Sequence, residues 1–244
     1  MAALPKLDVP TYELDLVSTG AKVKYRPFLV KEQKIFLMAA ESDDPADMIS
    51  AIKQVLNNCI ISGADVDSLP TFELEYLFLQ IRAKSVGEIS TLHYTCNNKV
   101  KGENGEEKVC GGQVKIEVDV SKIAPEILPE HTNKIAISDK MGVVMKYPSF
   151  NVFKKMDSKS DLAILDLIVS CIDYIYDDDQ IYYAKDASKA ELNEFIESLQ
   201  PSDFAKIQNF FKTMPKIHKS LDFKCKKCGY EEVIEVEGFQ NFFG

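Results

Sequence analysis

The sequence predicts an α+β fold built from an internally duplicated unit, and three observations carry that prediction. Two cysteine-bearing hairpin patterns recur with matching flanks: "LHYTC" and "CGGQVKIEVD" around the first, "LDFKC" and "CGYEEVIEVE" around the second. Helical patterns precede each of them. Each half also opens on a strand, a short turn and a second strand ending near a K-Y dipeptide. The shared order is β-hairpin, helices, cysteine β-hairpin. It divides the chain into a first repeat unit, 1–121, and a second, 122–244, expected to form one compact pseudo-two-fold body.

In order along the chain, "YELDLVSTGAKVKYRPF" (12–28) reads as two strands and is matched by "NKIAISDKMGVVMKYPSF" (133–150). Asp44 followed by Pro45 reads as an N-cap with proline in the first turn, and Met48, Ile49, Ile52, Val55, Leu56, Cys59 and Ile60 follow at helical spacing. The counterpart helix is "LAILDLIVSCIDYI", with Cys171 near its end, as Cys59 is near the end of "MISAIKQVLNNCII". Next, "SLPTFELEYLFLQIRAKSVGE" lies opposite "SLQPSDFAKIQNFFKTMPKIH". The second half gains a helix at "SKAELNEFIESLQ", where Ser188 and Glu191 form a capping box ahead of Leu192, Phe195, Ile196 and Leu199. Cys59 and Cys171 sit on apolar helix faces and are expected to pack as small hydrophobes.

The remaining cysteines carry the chemistry. The chain has six, and no positively charged N-terminal segment leads into an apolar run, so it reads as a cytosolic product in which thiols serve as ligands or core residues. A C-K-K-C turn supplies two thiolates where a structural zinc takes four. The missing pair is Cys96 and Cys110, which align with Cys225 and Cys228. Their turn is lengthened by "NNKVKGENGEEKV", thirteen residues where the second turn has two. The expected site is a zinc-ribbon-like four-cysteine centre of Cys96, Cys110, Cys225 and Cys228, with zinc as a structural cofactor. His93 is a weaker ligand candidate, because strand alternation turns it to the face opposite Cys96. A redox role for C-K-K-C is disfavoured, since the following "YEEVIEVE" alternates as a strand and offers no helix N-terminus to acidify a thiol.

Other classes find little support. The net charge of −9 disfavours a general nucleic-acid binder. The local exception is the basic run from Lys212 to Lys227, with Lys216, Lys219, Lys224 and Lys226 between, which defines the alternative reading of a zinc-ribbon nucleic-acid accessory protein. Asp166 and Asp173 interrupt the most apolar stretch, which is too short to span a membrane. His93, His131 and His218 lie in unrelated settings, no phosphate-binding or nucleophile motif occurs, and Asp177, Asp178 and Asp179 read as a solvated turn. No enzyme is expected.

The segments "LPKLDVPTYELDLVSTGAKVKYRPFLVKEQKIFLMAAES", "EYLFLQIRAKSVGE" and "EGFQNFFG" resemble a baseplate hub family of contractile-tailed phages of the T-even type, over nearly the full chain. Y-R-P-F-L-V-K-E-Q-K, residues 25–34, is the most specific element. The resemblance implies a structural or assembly protein of the tail baseplate hub, located in the virion baseplate or in host cytoplasm during assembly. Its partners would be other hub or tail proteins, with a homo-oligomer among the options. Tyr25, Arg26 and Phe28, with Phe239, Phe242 and Phe243 at the C-terminus, are the candidate partner-binding anchors, core packing being the alternative for each.

Overall fold

The computed structural model describes residues 7–42, 45–101, 106–149, 151–152, 163–238 and 241. The chain packs as two units, one of residues 1–66, 72–125 and 216–244 and one of residues 67–71 and 126–215. These units do not follow the two halves read from the sequence. The second cysteine hairpin belongs with most of the first half, because its apolar strand face and its sulfurs pack there.

In the first unit, β1 (Tyr12–Asp15) and β2 (Lys22–Tyr25) pair antiparallel with Tyr12 opposite Tyr25. Alternation buries Val23 and Tyr25 and exposes Lys22 and Lys24. Helices α1 (Val30–Ala40) and α2 (Pro45–Cys59) follow, and the helical spacing buries Ala51, Ile52, Val55, Leu56 and Cys59 on one stripe of α2. Asp44, the expected N-cap, lies outside the described residues. By spacing alone the helical pattern runs through Ile60. In the structure α2 stops at Cys59, and the β-branched Ile60 and Ile61 instead enter β3 (Ile60–Ser62), which pairs with β2.

Helix α3 (Thr71–Val86) supplies Leu79 and Ala83 to a core shared by two long antiparallel ribbons. One ribbon joins β4 (Ile89–Thr95) to β7 (Gln113–Asp119) and contributes Leu92 and Val118. The other joins β12 (His218–Lys224) to β13 (Glu231–Glu237) and contributes Leu221 and Val236. Between the first two cysteines the chain makes a further small ribbon, β5 (Lys99–Lys101) with β6 (Glu107–Val109).

Glu73, in the first turn of α3, is fully buried. Its Oε1 accepts the Ser18 amide at 2.6 Å and so holds the β1–β2 turn, while Oε2 is buried with no hydrogen-bond partner among the described residues. Burial pushes this carboxyl up. A folded pKa above the unfolded value means that the group's contribution is favourable in acid and is lost as pH rises through the folded pKa. The stability difference between Glu73→Gln and the parent should therefore shift in favour of the variant from about pH 4 to about pH 8, spanning the ordinary glutamate value. Urea unfolding at several pH values checks this, and a difference independent of pH would refute it.

The second unit holds a four-stranded antiparallel sheet, in the order β11-β10-β9-β8, against which helices α4, α5 and α6 pack among the described residues. Its strands are β8 (Lys134–Ala136), β9 (Gly142–Met145), β10 (Ile172–Tyr176) and β11 (Ile181–Tyr183). The helices are α4 (Ala163–Ser170), α5 (Lys189–Glu197) and α6 (Pro201–Thr213). Val143, Met145, Ile168, Cys171, Ile172, Leu192, Ile196, Ile207 and Phe210 form the core. "LAILDLIVSCIDYI" is thus not one helix: α4 ends at Ser170, and Ile172–Tyr176, rich in β-branched and aromatic residues, pairs as a strand on both sides.

Both units place a cysteine between the helix and the strand that returns to the hairpin. The Arg26 amide donates to the Cys59 carbonyl at 3.0 Å, and the Lys146 amide to the Cys171 carbonyl at 2.7 Å. Tyr25 pairs with Ile60, Met145 pairs with Ile172, and one irregularity in register follows each pair. Tyr25 therefore corresponds to Met145. The sequence pattern had set it against Tyr147, two residues later, which instead stacks on His131 and Phe210.

Candidate metal centre

Each cysteine pair sits at the mouth of a ribbon, and the two turns close in the same way. In the second, the Cys225 amide donates to the Tyr230 carbonyl at 2.8 Å and the Gly229 amide to the Cys225 carbonyl at 2.8 Å. In the first, the Cys96 amide donates to the Gly112 carbonyl at 2.8 Å and the Gly111 amide to the Cys96 carbonyl at 3.0 Å. Gly111 and Gly229 both take the left-handed backbone, φ 63° and 75°, that glycine adopts without strain. Cys96 thus matches Cys225 and Cys110 matches Cys228, with the β5–β6 ribbon inserted into the first turn.

The two turns meet through their sulfurs. Cys96 Sγ lies 3.7 Å from Cys228 Sγ, and Cys110 Sγ lies 3.8 Å from Cys225 Sγ. All four sulfurs lie within 4.8 Å of one another. Sulfurs at zinc-bond length around a tetrahedral centre stand about 3.8 Å apart, so the spacing fits the ion. The donor chemistry fits as well: four thiols, three of them buried, with Phe223 in the same cluster and Val100, Val114 and Ile234 packed around it.

Groups outside the sulfur cluster tune it. Burial pushes the Cys96 thiol up to about 12 and raises Cys110 too, whereas the Tyr230 backbone amide beside Cys228 brings that thiol down to about 6. Asn98 Nδ2 points at Cys228 Sγ from 3.8 Å, and Lys227 Nζ donates to the Cys110 carbonyl at 2.6 Å. A Cβ on Gly112 would meet Cys225 Sγ at 2.7 Å, so this glycine is what lets the second turn approach the first. The sequence alone assigns none of these three residues a role at the sulfurs. Gly112 was within its reach through the C-G-G triplet, but Asn98 and Lys227 carry no local signal. His93 is exposed and stands across from Lys115, away from the sulfurs, as the alternation required.

The family model described as T4 bacteriophage base plate protein matches residues 9–244. The chain belongs to that family. The baseplate hub assembly protein gp26 of Enterobacteria phage T4 is 25% identical over 236 residues, covering 95% of this chain and 97% of that protein. No solved structure matches.

In this T4-type base plate protein, two of the expected partner anchors are engaged inside the first unit. Tyr25 is 3% exposed and faces Tyr12 at 5.8 Å, because strand alternation aims it inward. Arg26 is tied to Glu32, so its guanidinium is occupied. Phe28 is half-buried against Phe36 at 5.8 Å. Phe239, Phe242 and Phe243 lie outside the described residues. Three lysines of the basic run are engaged: Lys216 pairs with Glu237 at 2.6 Å, Lys224 pairs with Glu231, and Lys227 donates to the Cys110 carbonyl of the other cysteine turn. Among the described residues, no helix is long and apolar enough to cross a membrane.

Proposed function

We propose that this chain is a structural or assembly protein of the phage baseplate hub that works by binding other hub or tail proteins, with a structural zinc held by Cys96, Cys110, Cys225 and Cys228. The family match across residues 9–244 carries the role, and the similarity to a hub assembly protein narrows it from baseplate to hub. The sulfur spacing supports the ion. Bound there, zinc supplies a cross-link between turns more than a hundred residues apart and no open coordination position for chemistry.

The repeated geometry supports a duplicated origin. The hairpin, the cysteine at the helix end, the returning strand with its register irregularity, and the cysteine turn occur once in each half, 1–121 and 122–244. Of the six candidate anchors, Phe28 and the three C-terminal phenylalanines retain the partner-binding role.

The test is a phage carrying an early stop codon in this reading frame, grown with and without the protein supplied in trans. Lysates without it should contain heads and unassembled tail parts but no baseplates, visible by electron microscopy, and supply in trans should restore them. Complete, infectious tails without the protein would refute the role. Mass spectrometry of purified virions then separates a resident subunit, present in fixed ratio to other tail proteins, from a factor that leaves.

A further inference from the structure

The two cysteine turns are tied to each other by side chains at equivalent positions. Asn98 stands two residues after Cys96, and Lys227 two residues after Cys225, the first cysteine of each turn. Each reaches across to the second cysteine of the opposite turn. Asn98 Nδ2 points at Cys228 Sγ from 3.8 Å, and Lys227 Nζ donates to the Cys110 carbonyl at 2.6 Å. The backbone prepares both. The Asn98 carbonyl accepts the Cys110 amide at 2.8 Å, which fixes the half-buried Asn98 against its own turn. Lys227 Cβ lies 3.1 Å from where a Cβ on Gly112 would stand, so the glycine leaves the lysine stem its path over the first turn. The neighbouring Lys226 is exposed, and its side chain makes no hydrogen bond or ion pair among the described residues.

We propose that Asn98 and Lys227 are a reciprocal pair of positioning residues that hold the two cysteine turns together and so slow the exchange of the metal between them. The inference rests on the structural zinc read at Cys96, Cys110, Cys225 and Cys228. Four thiolates around one zinc leave a net double negative charge, and three of the four sulfurs belong to buried residues. Donors and a cation aimed at the ligating residues offset that charge without coordinating the ion. The Asn98 amide acts at the sulfur of Cys228, the one half-buried ligand and therefore the one most open to a competing chelator. A thiolate only accepts, so the amide nitrogen is the end of Asn98 that serves it. The Lys227 ammonium acts at the backbone of Cys110 and brings its positive charge to the seam between the turns. Both contacts must break before the turns can part, which is why they bear on release. Losing a supporting group of this kind typically costs a metal site about 10–100-fold in affinity.

The experiment follows zinc transfer from the zinc-loaded, full-length protein to excess pyridylazoresorcinol, read as the absorbance of the chelate. Asn98→Leu and Lys227→Met keep the bulk of each side chain and remove its donor, and each should release zinc about tenfold faster or more. Lys227→Arg keeps a cationic donor and should stay within about threefold of the parent. Lys226→Met removes the same charge from the same turn without cutting a cross-turn contact, and should match the parent. Circular dichroism at the assay temperature confirms that each zinc-loaded variant is folded. Release at the parent's rate from both Asn98→Leu and Lys227→Met, or equal acceleration by Lys226→Met and Lys227→Met, would overturn the inference and leave the zinc reading standing. A parent that takes up no zinc would overturn both.

Discussion

Replacing Cys96 with serine is expected to abolish metal binding and to unfold the part of the chain that the cysteine ribbons close. The parent protein should carry a single zinc per chain by elemental analysis and native mass spectrometry, and the variant none. The size of the effect follows from what the ion would join. Cys96 and Cys228 are 132 positions apart and Cys110 and Cys225 are 115 apart, so a four-thiolate centre closes loops that would otherwise have to be closed by packing alone. Structural zinc contributes on the order of 10–16 kcal/mol of apparent binding energy that is coupled to folding, against roughly 5–15 kcal/mol of total stability for an ordinary domain. The apolar shell near the sulfurs is modest, chiefly Phe223, Tyr94 and Ile234. It offers little to replace that coupling.

A strong chelator should reproduce the variant, lowering the thermal midpoint of the parent by roughly 10 °C or more while leaving Cys96→Ser unchanged. Cys171→Ala provides the control, since Cys171 lies in the core of the other unit, where burial pushes its thiol up to about 12. It should lose stability but keep the metal. A parent that binds no zinc, with a Cys96→Ser variant that melts at the parent's temperature, would remove the metal from the account and leave the family assignment untouched.

The four-cysteine cluster was legible because it rests on a turn grammar written within a few residues: cysteine, glycine, and strands that alternate on both sides. Other features failed for a physical reason. Setting Tyr25 against Tyr147 slips the register by two residues, and a slip of two leaves every strand side chain on its own face, so hydrophobic alternation gives no warning. The pairings Tyr25 with Ile60 and Met145 with Ile172 reveal it. The helix ends at Cys59 and Ser170 are blurred in the sequence because an apolar run is compatible with both periods until its strand partner is known. Ser188 and Glu191 did not depend on distant partners. Their capping box forms as read, with the Ser188 amide donating to Glu191 Oε2 at 2.7 Å and the Glu191 amide to Ser188 Oγ at 3.3 Å.

For Arg26 the sequence leaves partner binding and packing both open for the same reason of distance, and its replacement by alanine carries the second large expectation. The guanidinium reaches Glu32 Oε1 at 2.9 Å, the Pro27 carbonyl at 2.9 Å and the Asn58 carbonyl at 2.8 Å, so one side chain ties the exit of the first hairpin to the start of α1 and the end of α2. The Glu32 side chain is fully buried, and its Oε2 also accepts the Leu29 amide at 2.8 Å. Removing one partner of a buried pair leaves an uncompensated charge and costs about 3–5 kcal/mol. Arg26→Lys should fall between, because an ammonium cannot fork to a carboxylate and two carbonyls at once. The pH dependence has a definite sign. Burial alone would raise the Glu32 carboxyl, but the hydrogen bonds from Arg26 and Leu29 hold it below the ordinary value. The pair's stabilisation is thus present above the unfolded glutamate pKa and is lost as pH falls through the folded one. In Arg26→Ala the burial penalty is opposed only by Leu29 and Lys31, so the variant should recover part of its deficit in acid, where the carboxyl takes up a proton. Urea unfolding of parent and variant between about pH 4 and about pH 8 measures the gap; a gap under about 1 kcal/mol, constant with pH, would show the pair to be worth no more than a surface contact. If the larger gap is found, any loss of partner binding in Arg26→Ala reports a loosened first unit and not a missing contact, so Phe28→Ala becomes the informative variant for the interface.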